Sequence, residues 1–530
     1  MFMKKVLYFL SALALFGCSQ PNPILTIEGG QVQGVKAENK GVYVYRGIPY
    51  AAAPIKELRW KAPQPVVAWE GVMIADEFGH PGYQAVHYPG GYATEWGYGD
   101  ESPYSEDCLY LNVWTKAPGQ VDKKLPVALW IHGGGYREGW GSEPEFDGQE
   151  WASKDVVLVS INYRLGVFGF LTYPELSAES ENNVSGNYGI LDQIESLKWI
   201  KKNIAQFGGD PDNITIFGQS AGAGSVKTLC ESPLTKGMFN KAIIMSGGGI
   251  TTAQSGPAMG MGMGMPMGMP AGARAGAPAG APAMTPPPAP AGAPAMAGAP
   301  AMRAPMGGGM MMRGFGPMSL KDSELQTKEI MDWAGMTSLA KMRSASTETI
   351  YTVGSLYSAV TGNRTRMNGS PIVDGYVSLQ SFDSAAIKNE LPNIPYMIGY
   401  TLNDMGNMSG GIAEFCLNRE SFGDKAYAYQ FARPLPTDGR EGAMQGAFHS
   451  SDLWFVFKSL QHCWRPWTEG DWALSEAMLT AWTNFAKFGD PNGQTAGEWA
   501  PYTKENPKFM LFKLDENDVE NSEMGDPIVP

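Results

Sequence analysis

One pentapeptide ties this chain to a particular kind of fold. Gly218-Gln219-Ser220-Ala221-Gly222 stands directly after an apolar, β-branched run at 214–217 and directly before a helix-capable stretch. A turn that passes from a buried strand into a helix within so few residues needs small neighbours, and it holds its central serine in a strained conformation. The hydroxyl is then presented beyond the strand's carboxyl end, at the helix N-terminus. A strand that feeds straight into a helix fits a parallel sheet, and the rest of the chain repeats the pattern. Short apolar runs at 127–131, 156–162, 242–245 and 395–399 read as buried parallel strands. Between them, Leu191, Ile194, Leu197, Ile200 and Ile204 recur at helical spacing within 190–207, and 473–488 behaves similarly. Strands alternating with helices predict an α/β architecture, an open and mostly parallel sheet with helices on both faces.

A second glycine motif, His132-Gly133-Gly134-Gly135, follows the run at 127–131. Consecutive glycines let backbone N–H groups point into a pocket without Cβ obstruction. Acyl transfer needs such donors for the oxyanion that develops on the carbonyl. A serine nucleophile also needs a base, and the five histidines are His80, His87, His132, His449 and His462. In hydrolases built on this turn the chain order is serine, acid, histidine, which leaves His449 and His462. His449 sits in Gly446-Ala447-Phe448-His449-Ser450, where small neighbours suit a loop entering a site. His462, in Gln461-His462-Cys463-Trp464, reads as a packed or surface residue. The acid should lie between Ser220 and His449 at a strand end. Asp404 follows the run at 395–399. Asp374 is the rival, but Asp374-Gly375 reads better as a turn.

Gly (66) and Pro (39) are in excess for a chain of 530 residues. The excess is concentrated in 253–318, a stretch of almost nothing but Gly, Ala, Pro and Met. Pro and Gly interrupt every window there, and nothing in it buries enough surface to offset chain entropy, so it reads as a disordered low-complexity insert. The remainder, 18–252 and 319–530, reads as one domain interrupted once. Three uses of the insert are open: a tether, a partial lid over the pocket, and a soft-metal site on the alternating methionines of 259–269. At the other end, Lys4 and Lys5 precede an apolar run at 6–16 and then Gly17-Cys18. This has the form of an export signal over 1–17. Leu15-Phe16-Gly17-Cys18 resembles a bacterial lipobox, in which Cys18 would be lipidated and hold the protein in the cell envelope; an ordinary secretory signal is the alternative. The run is too short to span a bilayer. The net charge of −13, with no basic stripe, gives nucleic acid no footprint, so the membrane contact expected here is the acyl anchor.

Further motifs bring a family into view. Tyr45-Arg46-Gly47-Ile48-Pro49-Tyr50-Ala51, Ser105-Glu106-Asp107-Cys108-Leu109, Asn162-Tyr163-Arg164-Leu165-Gly166 and Asn187-Tyr188-Gly189-Ile190-Leu191-Asp192 resemble signatures of the type-B carboxylesterases, the group of cholinesterases and para-nitrobenzyl esterases in the α/β-hydrolase superfamily. The resemblance implies an α/β-hydrolase fold and a small-molecule ester substrate, with no cofactor and no metal. It implies Ser220 as nucleophile, His449 as base, Asp404 as acid, and the N–H groups of Gly134, Gly135 and Ala221 as the oxyanion hole. It also implies structural ion pairs of Arg46 with Glu106 and of Arg164 with Asp192. A non-enzymatic adhesion protein on the same fold is the other function the resemblance allows. Three departures stand out. The acid is Asp followed by Met405, where the family has Glu and Gly. Gln219 stands where the family often has Glu. Cys108 lacks the family's upstream partner cysteine, which leaves an unstapled loop from Gln84 to Asp107, rich in Tyr88, Tyr92, Trp96, Tyr98 and Tyr104, either to line a pocket mouth or to pack on the body.

Overall fold

The computed structural model describes residues 22–86, 91–97, 103–250, 319–495 and 497–529. The expected export signal with Cys18 and the insert at 253–318 lie outside the described residues. Among these residues no helix is long and apolar enough to cross a membrane.

Eleven strands form the main sheet: β1 (Val35–Lys36), β2 (Tyr43–Pro49), β3 (Tyr110–Thr115), β4 (Leu125–Ile131), β5 (Val157–Ile161), β6 (Gly209–Gln219), β7 (Lys241–Met245), β8 (Tyr396–Thr401), β9 (Ala426–Phe431), β10 (Phe509–Phe512) and β11 (Glu523–Gly525). Their spatial order is β11-β10-β9-β8-β7-β6-β4-β5-β3-β2-β1. The seven from β10 to β5 pair in parallel, and the pairings outside them are antiparallel. Three more strands, Ile24–Ile27, Gly30–Gln33 and Val72–Ile74, make a separate small sheet. The expected strands are all present. β6 begins at Gly209, well before the apolar run, because Gly209 opens the pairing with Leu125 across an irregularity in β4.

The period-two alternation of side chains along a strand explains how the sheet is covered. Val127, Leu129 and Ile131 of β4 join a core with Ile194 and Ile200 of α1 (Tyr188–Asn203) and Val226 of α2 (Ala221–Glu231). Ala128 and Trp130, between them in sequence, join a second core with Phe217 of β6 and with Met478 and Trp482 of α3 (Glu469–Phe488). The central strands are thus apolar on both faces, which is why they read as unbroken apolar runs.

Two of the buried ion pairs bear on the expected pairings. Arg164 meets Asp192 through two bonds of 2.6 and 2.8 Å, as the resemblance implies. The expected pairing of Arg46 with Glu106 is not made: Arg59 holds Glu106 at 2.5 and 2.7 Å. Glu106 is buried and also accepts from Thr347 Oγ1. Arg59 reaches it from beside Trp60, with Met342 O and Ala345 O as further acceptors. Arg46 instead sits over the Phe78 ring and donates to Asp76 O. Cys108, Cys230, Cys416 and Cys463 are all unpaired thiols, so Cys416 and Cys463 do not bridge.

Candidate active site

Ser220 stands between β6 and α2 with φ 57° and ψ −119°, a conformation that side-chain-bearing residues rarely adopt. Its N–H donates to Met245 O and its carbonyl accepts from Gly224 N, both at 2.9 Å. The two flanking glycines follow from packing. A Cβ on Gly222 would lie 2.0 Å from Ile131 O, and one on Gly218 would lie 2.7 Å from the same carbonyl. The end of β4 is pressed onto the turn, and only glycine leaves it room.

The glycines after β4 run beside that turn. Gly134 and Gly135 have φ of 90° and 62°. A Cβ at Gly134 would fall 2.0 Å from Glu138 O, so the chain can fold back here only as glycine. Gly134 O accepts from the N–H groups of Arg137 and Glu138, which fixes the loop. Ala221 opens α2, and its N–H has no preceding helical turn to bond. His132 is buried and stacked on Tyr163, and burial pushes its imidazole down to about 4. It is a packed residue.

Asp404 and His449, 45 residues apart in sequence, meet at 2.6 Å between Oδ1 and Nδ1. Both side chains are buried, at 0% and 8% exposure, so the contact is shielded from solvent. Asp404 Oδ1 also accepts from Met405 N, and Oδ2 accepts from Thr401 N and Thr401 Oγ1. Burial raises the Asp404 carboxyl, but bonding to His449 and the charge beside it outweigh burial and hold it below its usual range. The two loops are joined a second time. Asn403 N donates to Ala447 O and Asn403 Oδ1 accepts from Ala447 N, both at 2.9 Å.

The rivals are occupied elsewhere. Asp374 Oδ1 accepts from the N–H groups of Tyr376, Val377 and Ser378 at 2.8–3.0 Å, which makes it the turn residue its Asp-Gly sequence suggests. His462 faces Asp147 at the wall of a cavity of about 230 Å³ that also takes in Arg46 and Glu143, and no residue of the turn at Ser220 lines it.

Three neighbours of His449 escaped the sequence reading. Tyr92 OH donates to His449 O at 2.9 Å, while Trp96 packs on Trp454, so this part of the aromatic loop lies on the body. Tyr88 and Tyr98 lie outside the described residues. Asp452, three positions beyond His449, is fully buried and accepts from Tyr429 OH, and burial followed by the nearby Asp404 charge pushes it up to about 7. Gln219 Nε2 lies 3.2 Å from His449 Nε2. Among the described residues, Ser220 Oγ has no hydrogen-bond partner. The departure of Gln219 from the family pattern was the one available signal, though it gave no hint of the contact. No group of three or more metal-ligating side chains converges among the described residues.

The model of the Carboxylesterase family matches residues 21–260 and 407–526. A fumonisin B1 esterase of Sphingopyxis macrogoltabida is 43% identical over 245 residues, which cover 46% of this chain and 43% of that protein. A para-nitrobenzyl esterase of Bacillus subtilis (strain 168) is 46% identical over 225 residues, 42% of this chain and 43% of the relative. The matched segments thus span less than half the length of these relatives. A solved carboxylesterase of Geobacillus stearothermophilus superposes with a TM-score of 0.66 at 28% identity, covering 94% of this chain and 97% of its own. A solved para-nitrobenzyl esterase, at 24% identity and TM-score 0.67, shares the α/β-hydrolase fold.

Proposed function

Since the chain belongs to the carboxylesterase family, we propose that it is a serine hydrolase of small-molecule carboxylic esters. In this reading His449, oriented by Asp404, takes the proton of Ser220 as Oγ attacks the ester carbonyl. The N–H groups of Gly134, Gly135 and Ala221 hold the oxyanion. His449 then protonates the departing alcohol, and water, activated by the same imidazole, cleaves the acyl-enzyme and restores Ser220. Neither metal nor cofactor takes part. The observation that carries the reading is the buried 2.6 Å contact of Asp404 with His449, whose ring touches Gln219, the residue before a serine held at φ 57°. A carboxylate in that place orients the imidazole and stabilises the imidazolium that forms in each step.

The test is hydrolysis of p-nitrophenyl esters of graded acyl length by the full chain and by Ser220→Ala. The variant should lose several orders of magnitude in kcat, keeping a residue of roughly 10³–10⁴ over water from binding and oxyanion effects. Wild-type-like turnover in folded Ser220→Ala protein would sink the assignment, and an inactive wild type would favour a binding protein on this fold. We further propose lipid attachment at Cys18 in a bacterial cell envelope. The support is the charged, apolar and small-residue order of 1–18. Mass spectrometry of the mature N-terminus, with Cys18→Ser as control, tests it.

A further inference from the structure

Gln219 touches the imidazole ring of His449, and the esterase chemistry above does not use that contact. Its side chain is buried at 3% exposure, wedged between two parts of the site. Its Oε1 faces the glycine loop, where a Cβ on Gly133 would lie 3.1 Å away. Its Nε2 faces His449 Nε2 at 3.2 Å. With His449 Nδ1–H directed at Asp404 Oδ1, Nε2 carries the lone pair, and the amide N–H of Gln219 is a matching donor. This is the same lone pair that must accept the Ser220 proton.

We propose that Gln219 is a positioning residue that holds the resting base away from the nucleophile and sets the acid side of the activity range. The proposal rests on the reading of Ser220, His449 and Asp404 given above. In the free protein the Gln219 amide occupies His449 Nε2. Acylation begins when His449 exchanges this partner for Ser220 Oγ. Once the imidazole has taken the proton, Nε2–H is a donor, and a rotated amide can offer Oε1 to it. A neutral amide therefore serves both protonation states, which a carboxylate cannot, since it only accepts and favours the protonated ring. The charged and titratable groups around His449 are Asp404 at Nδ1, buried Asp452 three residues on, Tyr429 bonded to Asp452, Tyr92 on the backbone carbonyl, and the buried pair of Glu95 with Arg465, whose guanidinium lies over the neighbouring Phe448 ring. Asp404 already supplies a negative charge there. A second at position 219 adds to it, on the opposite edge of the ring.

Two near-isosteric variants separate this role from simple packing. In Gln219→Glu, the acid limb of the kcat/KM–pH profile for p-nitrophenyl acetate should move up by roughly 1 pH unit, as an adjacent opposite charge produces. In Gln219→Met, the competitor for Nε2 is gone. The second-order rate of Ser220 labelling by a fluorophosphonate at pH 8 should rise roughly threefold to tenfold, the worth of one neutral hydrogen bond. Both are shapes and rates of folded protein, verified by an unchanged circular dichroism spectrum. An acid limb that stays in place in Gln219→Glu, or labelling no faster in Gln219→Met, overturns the proposal. Labelling that persists in Ser220→Ala would overturn the nucleophile assignment instead.

Discussion

Replacing Asp404 by Asn tests the catalytic reading at its most exposed assumption, that an Asp stands in for the family's Glu. The carboxylate is saturated. Oδ1 receives His449 Nδ1 and Met405 N, and Oδ2 receives Thr401 N and Thr401 Oγ1. Asparagine has one acceptor oxygen. If that oxygen faces His449, the NH₂ group opposes the N–H of Thr401. If the NH₂ group faces His449, the ring must turn to the tautomer protonated on Nε2, and the base is lost. Either way the charge that stabilises the imidazolium disappears. For unit charges about 4 Å apart at an effective dielectric of about 20, that charge is worth ~4 kcal/mol. On the transition-state scale this is a factor of roughly 10³ in kcat. The tautomer penalty carries the loss toward ~10⁴, the value for the same substitution in the best-studied serine triad. The assay is steady-state hydrolysis of a p-nitrophenyl ester at saturating substrate, with Asp374→Asn in parallel. Asp374 holds three backbone N–H groups and Asn187 Nδ2, so its variant should lose stability, not kcat. If folded Asp404→Asn keeps more than about a tenth of kcat, or if Asp374→Asn is the one that loses it, the reasoning fails.

Arg59→Met should destabilise the protein by about 3–5 kcal/mol in urea, because it strands the buried Glu106 carboxylate, whereas Arg46→Met should cost less than about 1 kcal/mol. Equal effects would contradict the observed pairing. Asp452 gives a pH signature. Its folded carboxyl titrates near 7, above the unfolded value of about 3.9, so the native state binds the extra proton. Its contribution to stability falls as pH rises between about 4 and 7, then levels off. Asp452→Asn removes that slope, so its Tm relative to wild type should climb from pH 4 to pH 7. A constant Tm difference across that window would show that Asp452 ionises normally.

Where backbone and burial alone decide, the fold was legible in the residues themselves. The central strands are apolar on both faces, so their runs needed no partner to be recognised. The turn at Ser220 is forced by contact of its glycines with Ile131 O, and the motif carries that constraint in its spacing. That Asp404 stands close to His449 was legible from its place beyond β8. Met405 leaves the contact of Asp404 with His449 undisturbed, since its side chain is 60% exposed and its N–H bonds Asp404 Oδ1. The ion-pair partner was misread because Arg46 and Arg59 both lie upstream of Glu106, and the choice depends on which loop enters its buried pocket. Gln219 was visible as an oddity. Its contact with His449 was not, because it depends on the rotamer of a side chain at a strand end and on a loop 230 residues away.

The reciprocal bonds between Asn403 and Ala447 have a mechanical consequence. They bolt the strand end that bears Asp404 to the loop that bears His449. Ser220 is held on the neighbouring strands of the same sheet, through Met245 O and the root of α2. The spacing of Asp404 against His449 is thus fixed by bonds of its own, separate from those that seat Ser220. Between the two groups of bonds stands the side chain of Gln219, the last residue of β6 before Ser220, which touches the ring of His449.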